Sequence, residues 1–215
     1  PDDVKFFASP MSYNSQLGVA LSLLMIQGDE QVAFIEAGIS QRGEMERLER
    51  MIRPDVVVMT SIGDAHQSNF DSLEQKINEK LILARGASTF IYHSAYDRIT
   101  DATCDGLSSD CRVVDAAVEN MDGLKMCGEA IRIDGQLVKA LCRELGYGEV
   151  NLRMEDVAMR LEVKEGINSS TIINDTYNSD INSLALALDT LQSVALGAQT
   201  TAIVSDIEQS GMQDK

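Results

Sequence analysis

Glu36, His66 and Asp175 each stand at or just past the end of an apolar, strand-like run. A carboxylate in such a place can bind a cation or move a proton, and an imidazole can do either. In open parallel sheets ligands bind beyond the carboxyl ends of the strands, so these positions count as much as the residue types. Each residue also has a plainer role open to it. A strand-end glutamate can cap the next helix, an aspartate can close an Asx turn, and a loop histidine can simply face water. His66 is nevertheless one of only two histidines in the chain, inside TSIGDAHQSNF (60–70). Three such residues at equivalent ends of one sheet would point to a ligand site.

The elements that must hold them follow from periodicity. VAFIEAG (32–38), DVVVMTS (55–61) and STFIYH (88–93) predict strands, with Pro54 just before the second. GEMERLERMI (43–52) predicts a helix with Met45, Leu48 and Ile52 on one face. DSLEQKINEKLILARG (71–86) predicts another, with Asp71 as N-cap, Glu74 completing a capping box and Gly86 as C-cap. IDGQLVKALCRELG (133–146) and INSLALALDTLQSV (181–194) are helical in period. MRLEVKEG (159–166) and STIIND (170–175) predict two strands joined by a turn, and TTAIVSD (200–206) a last strand. Residues 95–128 have no clean period. Strands alternating with helices imply an α/β fold with a mainly parallel, doubly wound sheet. The pattern restarts near residues 160–175, which suggests units of 1–160 and 161–215.

Composition narrows the partners. Acidic residues outnumber basic ones 34 to 18, a formal net charge of −16, so nucleic acid and anionic lipid are repelled. No apolar run approaches the roughly 18–20 residues needed to span a bilayer, and PDDVKFF lacks the layout of a signal peptide. Cys104, Cys111, Cys127 and Cys142 form no C-x-x-C pair, which predicts reduced, mostly buried thiols in a cytoplasmic protein rather than a zinc site.

SYNSQLGVALSLL (12–24), FIEAGISQRGEMERLERMIRPD (34–55), SIGDAHQSNFDSLEQKINEKL (61–81) and IINDTYNSDINSLALALDTL (172–191) together resemble the Mur ligases. Within that family the resemblance is to the branch that adds D-alanyl-D-alanine to UDP-N-acetylmuramoyl-tripeptide, sometimes fused to an alanine racemase. Residues 95–155 match poorly. The resemblance implies a partial central ATPase domain (1–160) and the start of a Rossmann-like C-terminal domain (161–215). It also implies a ligase of peptidoglycan precursor synthesis, using ATP and Mg²⁺ through an acyl phosphate.

Carried over residue by residue, the resemblance makes Glu36 and His66 magnesium ligands. Lys80, fourteen residues past His66, would be a carbamylated lysine supplying a third ligand. His66 and Lys80 would then be the catalytic residues. Asn14 and Ser15 fall in the family's substrate loop. Arg160, Asp175, Tyr177 and Asn178 fall on the nucleotide side, with Ile181 where a proline is usual. Without the resemblance, Lys80 is an ordinary helix lysine near Lys76 and Glu79. The family's phosphate loop, G-x-x-G-K-[ST], occurs nowhere in the 215 residues. The simplest expectation is a piece of a larger ligase, inactive alone. The alternative is a non-catalytic Mur-like module that binds a nucleotide sugar or a protein partner.

Overall fold

The computed structural model describes residues 4–63, 66–96, 99, 107–121, 129–152, 161–177 and 181–205. In chain order the elements are β1 (Phe6–Ala8), α1 (Gln16–Met25), β2 (Val32–Phe34), α2 (Glu44–Ile52), β3 (Val56–Val58) and α3 (Leu73–Leu81). They continue with β4 (Thr89–Tyr92), β5 (Arg112–Asp115), α4 (Glu129–Glu144), β6 (Glu162–Glu165), β7 (Thr171–Asn174) and α5 (Ile181–Ala195). Strands β3, β4 and β5 pair in parallel in that order, and β1 pairs in parallel with β2. The α/β class with parallel pairing therefore stands.

Helices cover both faces of the β3–β4–β5 sheet, because alternate residues of a strand point to opposite sides. Val57 and Phe90 face α3, packing with Ile77, Leu81 and Ala84. Ile91 and Val114 face α4, whose Ile133, Leu137 and Ala140 recur at helical spacing. Phe90 and Ile91 are fully buried, each contributing about 1.5–3 kcal/mol by removal from water. A third cluster joins Val19 of α1, Met45 and Leu48 of α2, Ile39 and Phe70. It anchors the two loops that carry Glu36 and His66.

Several expectations need correcting. Glu36, His66 and Asp175 do not share one sheet: they follow β2, β3 and β7, which belong to three separate sheets. Strands β6 and β7 pair antiparallel as a hairpin, so the later unit opens as a hairpin followed by a helix. Residues 200–205 form no strand and residues 200–204 and 205 are exposed, leaving no ladder to hold them. Strand β5 went unforeseen because its Val113–Val114 pair is too short to show a period. The N-cap of α3 is Ser72, whose side chain accepts from the Gln75 amide, one residue past the expected Asp71. Gln75 rather than Glu74 completes the box, its Oε1 accepting from the Asp71 amide at 2.9 Å. Gly86 is no left-handed cap either, since the chain tightens into a 3-10 turn over Ile82–Ala84. Cys111 and Cys142 are unpaired and only partly buried, and burial raises both thiol pKa values. Cys104 and Cys127 lie outside the described residues.

Helix α2 lacks a cap of its own, because its N-cap is Gly43 at φ 78°. Glu79 of α3 supplies one instead. Its Oε1 accepts from the amides of Gly43 at 2.7 Å and Met45 at 3.3 Å, where the helix dipole favours negative charge. Glu79→Ala should therefore lower unfolding free energy by about 1–3 kcal/mol, the cost of leaving such donors unpaired. Glu79→Gln, which keeps an acceptor oxygen, should lose less. Urea denaturation followed by circular dichroism reads both, and equal stability of all three chains would refute the cap in trans.

Candidate functional site

The loop after β2 is the hub of the site. Glu36 is exposed, and its Oε1 accepts from Asn14 Nδ2 at 2.8 Å while its amide donates to Ser9 Oγ at 3.1 Å. The Asn14 carbonyl accepts from the Gly38 amide at 2.8 Å, so Asn14 grips this loop from both ends. Sequence reasoning named Asn14 and Glu36 separately, and the structure joins them. Ser15 has a more local duty as N-cap of α1, its Oγ accepting from the Gly18 amide at 3.2 Å.

Farther along the same loop, Glu44 closes the turn that follows. Its Oε2 accepts from the amides of Ser40 at 2.7 Å and Gln41 at 2.9 Å. Burial alone would raise the Glu44 pKa, but these two amides, with the Ser40 and Gln16 side chains, together leave the carboxyl below its ordinary value. The Ser40 carbonyl accepts from Asn69 Nδ2 at 2.9 Å, which brings the turn carrying His66 against the loop carrying Glu36. His66 itself is exposed, with a left-handed backbone (φ 59°), and heads the 3-10 turn Gln67–Asn69. Its carbonyl accepts from the Asn69 amide at 3.0 Å.

Lys80 lies near the end of α3, partly buried, and burial pushes its ammonium pKa down. No hydrogen bond or ion pair from the described residues holds it, and the Glu79 carboxylate beside it is engaged on α2. Lys76, one turn earlier, is the lysine that sequence reasoning passed over. It is 3% exposed, and its Nζ donates to the Gly63 carbonyl at 2.6 Å. Nothing in its spacing distinguishes it from a surface helix lysine; only tertiary packing does. Among the described residues no three His, Cys, Asp or Glu side chains stand close enough to hold a metal. The expected set draws only Glu36 and His66 from those types.

The second histidine also sits past a strand end, and it does something else. His93 is 2% exposed; its Nδ1 accepts from the Ala95 amide at 3.0 Å, leaving Nε2 to face Gln136 Oε1 at 2.9 Å. Gln136 Nε2 donates onward to the carbonyls of Ala117 and Glu119. This network stitches α4 to the ends of β4 and β5. A shallow cavity of about 200 Å³ opens nearby, lined by Glu119, Lys139 and Arg143 among others. Its cations are already engaged, Lys139 on the Asn120 carbonyl and Arg143 with Glu119.

Of the nucleotide-side residues, Asp175 Oδ1 accepts from the Leu161 amide at 3.0 Å and closes the β6–β7 hairpin. The Tyr177 hydroxyl hydrogen-bonds Ser12 Oγ, joining the later unit to the loop of Asn14. Arg160 and Asn178 lie outside the described residues. So do Asp64 and Ala65, beside His66.

The profile of the Mur ligase middle domain matches residues 3–123. The chain is 23% identical to the UDP-N-acetylmuramoyl-tripeptide–D-alanyl-D-alanine ligase of Bacillus subtilis over 93% of its own length and 50% of the relative's. It is 34% identical to the ligase of the same name from Borreliella burgdorferi, over 39% of its length and 18% of the relative's. Among solved structures, MurF from Acinetobacter baumannii superposes with a TM-score of 0.76 at 19% identity, covering 98% of this chain and 52% of that one. MurF from Thermotoga maritima in complex with ADP gives 0.75 at 16% identity, covering 89% and 51%. The chain thus spans about half the length of these fuller matches, and the solved structures establish the likeness of fold.

Gly18 explains how the loop of Asn14 is kept in place. A Cβ on Gly18 would come within 2.7 Å of the Tyr13 Cα and carbonyl carbon, which are backbone and cannot step aside. On Gly38 the nearest atom is 3.1 Å away and belongs to the Asn14 side chain. Gly18→Ala should cost about 1–3 kcal/mol, as overpacking does, and Gly38→Ala less. Thermal unfolding of the two variants orders them; a Gly18→Ala chain as stable as wild type would contradict this contact.

Proposed function

The chain belongs to the Mur ligase family, and we propose that it forms part of the catalytic centre of a ligase joining D-alanyl-D-alanine to UDP-N-acetylmuramoyl-tripeptide at the expense of ATP. The substrate carboxylate takes the γ-phosphoryl group, giving an acyl phosphate and ADP. The dipeptide amine then attacks the acyl carbon, the amide bond forms, and phosphate leaves. Juxtaposing a carboxylate and a polyphosphate is electrostatically costly, and magnesium supplies the charge neutralisation when bound.

The observation that carries this reading is Lys80. A free ammonium beside a cation site would be repelled, whereas a carbamate is a hard oxygen ligand of the kind Mg²⁺ prefers. Carbamate formation needs the neutral amine: its lone pair bonds the carbon of CO₂, one C–O electron pair moves to oxygen, and nitrogen releases a proton. Burial favours that neutral form, and no partner among the described residues competes for it. Two of the three donors, the Glu36 carboxylate and a Lys80 carbamate, are the hard oxygens Mg²⁺ prefers, and the His66 imidazole would be the softer third. Glu36 offers its second carboxylate oxygen and His66 an imidazole, while Asn14 orients Glu36. In this reading Asn14 and Ser15 meet the nucleotide-sugar peptide, and Arg160, Asp175, Tyr177 and Asn178 flank the nucleotide.

Three experiments test it. In the full-length protein encoded by the gene, Lys80→Ala should nearly abolish turnover, short carboxylic acids should restore part of it, and Lys80→Arg should stay inactive because guanidinium cannot take up CO₂. Full activity of Lys80→Arg would end the carbamate assignment. With ¹³C-bicarbonate, the carbamate resonance should strengthen as pH rises, since deprotonation precedes the reaction, and fade as pH falls; an unvarying or absent signal would count against it. The 215-residue chain alone, without a G-x-x-G-K-[ST] loop, should release no phosphate from ATP in the presence of both substrates. Measured release would show that the phosphate loop is dispensable.

A further inference from the structure

Lys76 is the most deeply buried charged residue among those the described core contains, and the reaction described above gives it no part. Burying an ammonium is costly unless acceptors surround it, so its partners are informative. One partner is the Gly63 carbonyl, at 2.6 Å, a short charge-assisted bond. Gly63 follows Ile62, which is buried in the core beside α3, and stands three residues before His66 in sequence. On the other side of His66, Asn69 is tied to the Ser40 carbonyl and Phe70 is buried in the cluster beneath Glu36's loop. The described residues on either side of His66 are therefore held, Gly63 by Lys76, and Asn69 and Phe70 by Ser40 and the core. Lys76 and Lys80 are four residues apart on α3 and so share a face.

We propose that Lys76 is a positioning residue of this site: its ammonium holds the Gly63 carbonyl and so fixes the point at which the chain leaves the core on its way to His66. The proposal rests on the reading of His66 as a site ligand. A hydrophobic side chain of the same length would fill the space but release the carbonyl, so Lys76→Met separates packing from tethering.

In Lys76→Met, hydrogen exchange should quicken over residues 62–70 while the amides of β4 and α2 keep their protection and the thermal midpoint moves little. In the full-length protein the Mg²⁺ concentration for half-maximal turnover should rise about 10- to 100-fold, as when outer-shell contacts of a metal site are removed. The KM for the dipeptide should stay unchanged. Unaltered exchange over 62–70 overturns the proposal, and so does faster exchange with an unaltered Mg²⁺ requirement. If the wild-type full-length protein shows no Mg²⁺-dependent ligation, the functional reading fails instead, and the exchange data still judge the tether. Should Lys76→Met not fold, reductive methylation of the wild-type chain decides: Lys76 must resist while the exposed Lys5 and Lys164 react, and equal labelling overturns the tether.

Discussion

A single carboxylate, Glu79, sets the geometry on which the rest of the site depends. Helix α2 starts at a glycine and has no side chain with which to cap itself, so its first amides are satisfied from α3. That bond fixes the two helices against each other and, with them, the loop that precedes α2. Asn14 then holds one end of that loop at Glu36, and Asn69 holds its middle at Ser40. Successive helix residues point about 100° apart, so committing Glu79 to α2 turns Lys80 away from it. The arrangement keeps the neighbouring carboxylate from neutralising Lys80.

What the sequence disclosed and what it withheld divide along one physical line. The elements were legible: α2 with Met45 and Leu48 inward, β3 and β4 as short apolar runs, β4 buried on both faces, and α4 with its apolar stripe. The family resemblance was carried by four ordered segments, 12–24, 34–55, 61–81 and 172–191. Local choices between equivalent neighbours were not legible: Asp71 and Ser72 are both good N-caps, and the chain used the second. Nor were the bonds that assemble the site, because they join residues far apart in sequence. Asn14 and Glu36 are 22 residues apart, Gly43 and Glu79 are 36. Lys76 was illegible for the same reason, since a lysine in a polar helix reads as solvated until something is folded over it.

The charge of the chain sharpens the role of these few contacts. With a formal charge of −16, the surface as a whole opposes anionic substrates, so attraction must be local and short-ranged. Phosphate-bearing ligands of the kind proposed are accommodated only where cations are concentrated. In the proposed reading that positive charge is magnesium's, since Lys76 is buried on a carbonyl and Lys80 would carry a carbamate.

The bond between Ser12 and Tyr177 bears on how the chain folds. It closes a loop of 165 residues, and closing so long a flexible loop costs about 4–5 kcal/mol of chain entropy, several times what one hydrogen bond returns. It cannot therefore act as a nucleus. Assembly must begin with nearer pairings such as the β6–β7 hairpin and the parallel β3–β4–β5 ladder, which shorten the effective loop before the two hydroxyls meet. Because both hydroxyls are exposed and their bond returns so little, this contact can open and close while the sheets remain intact, a reversible latch rather than a foundation of the fold.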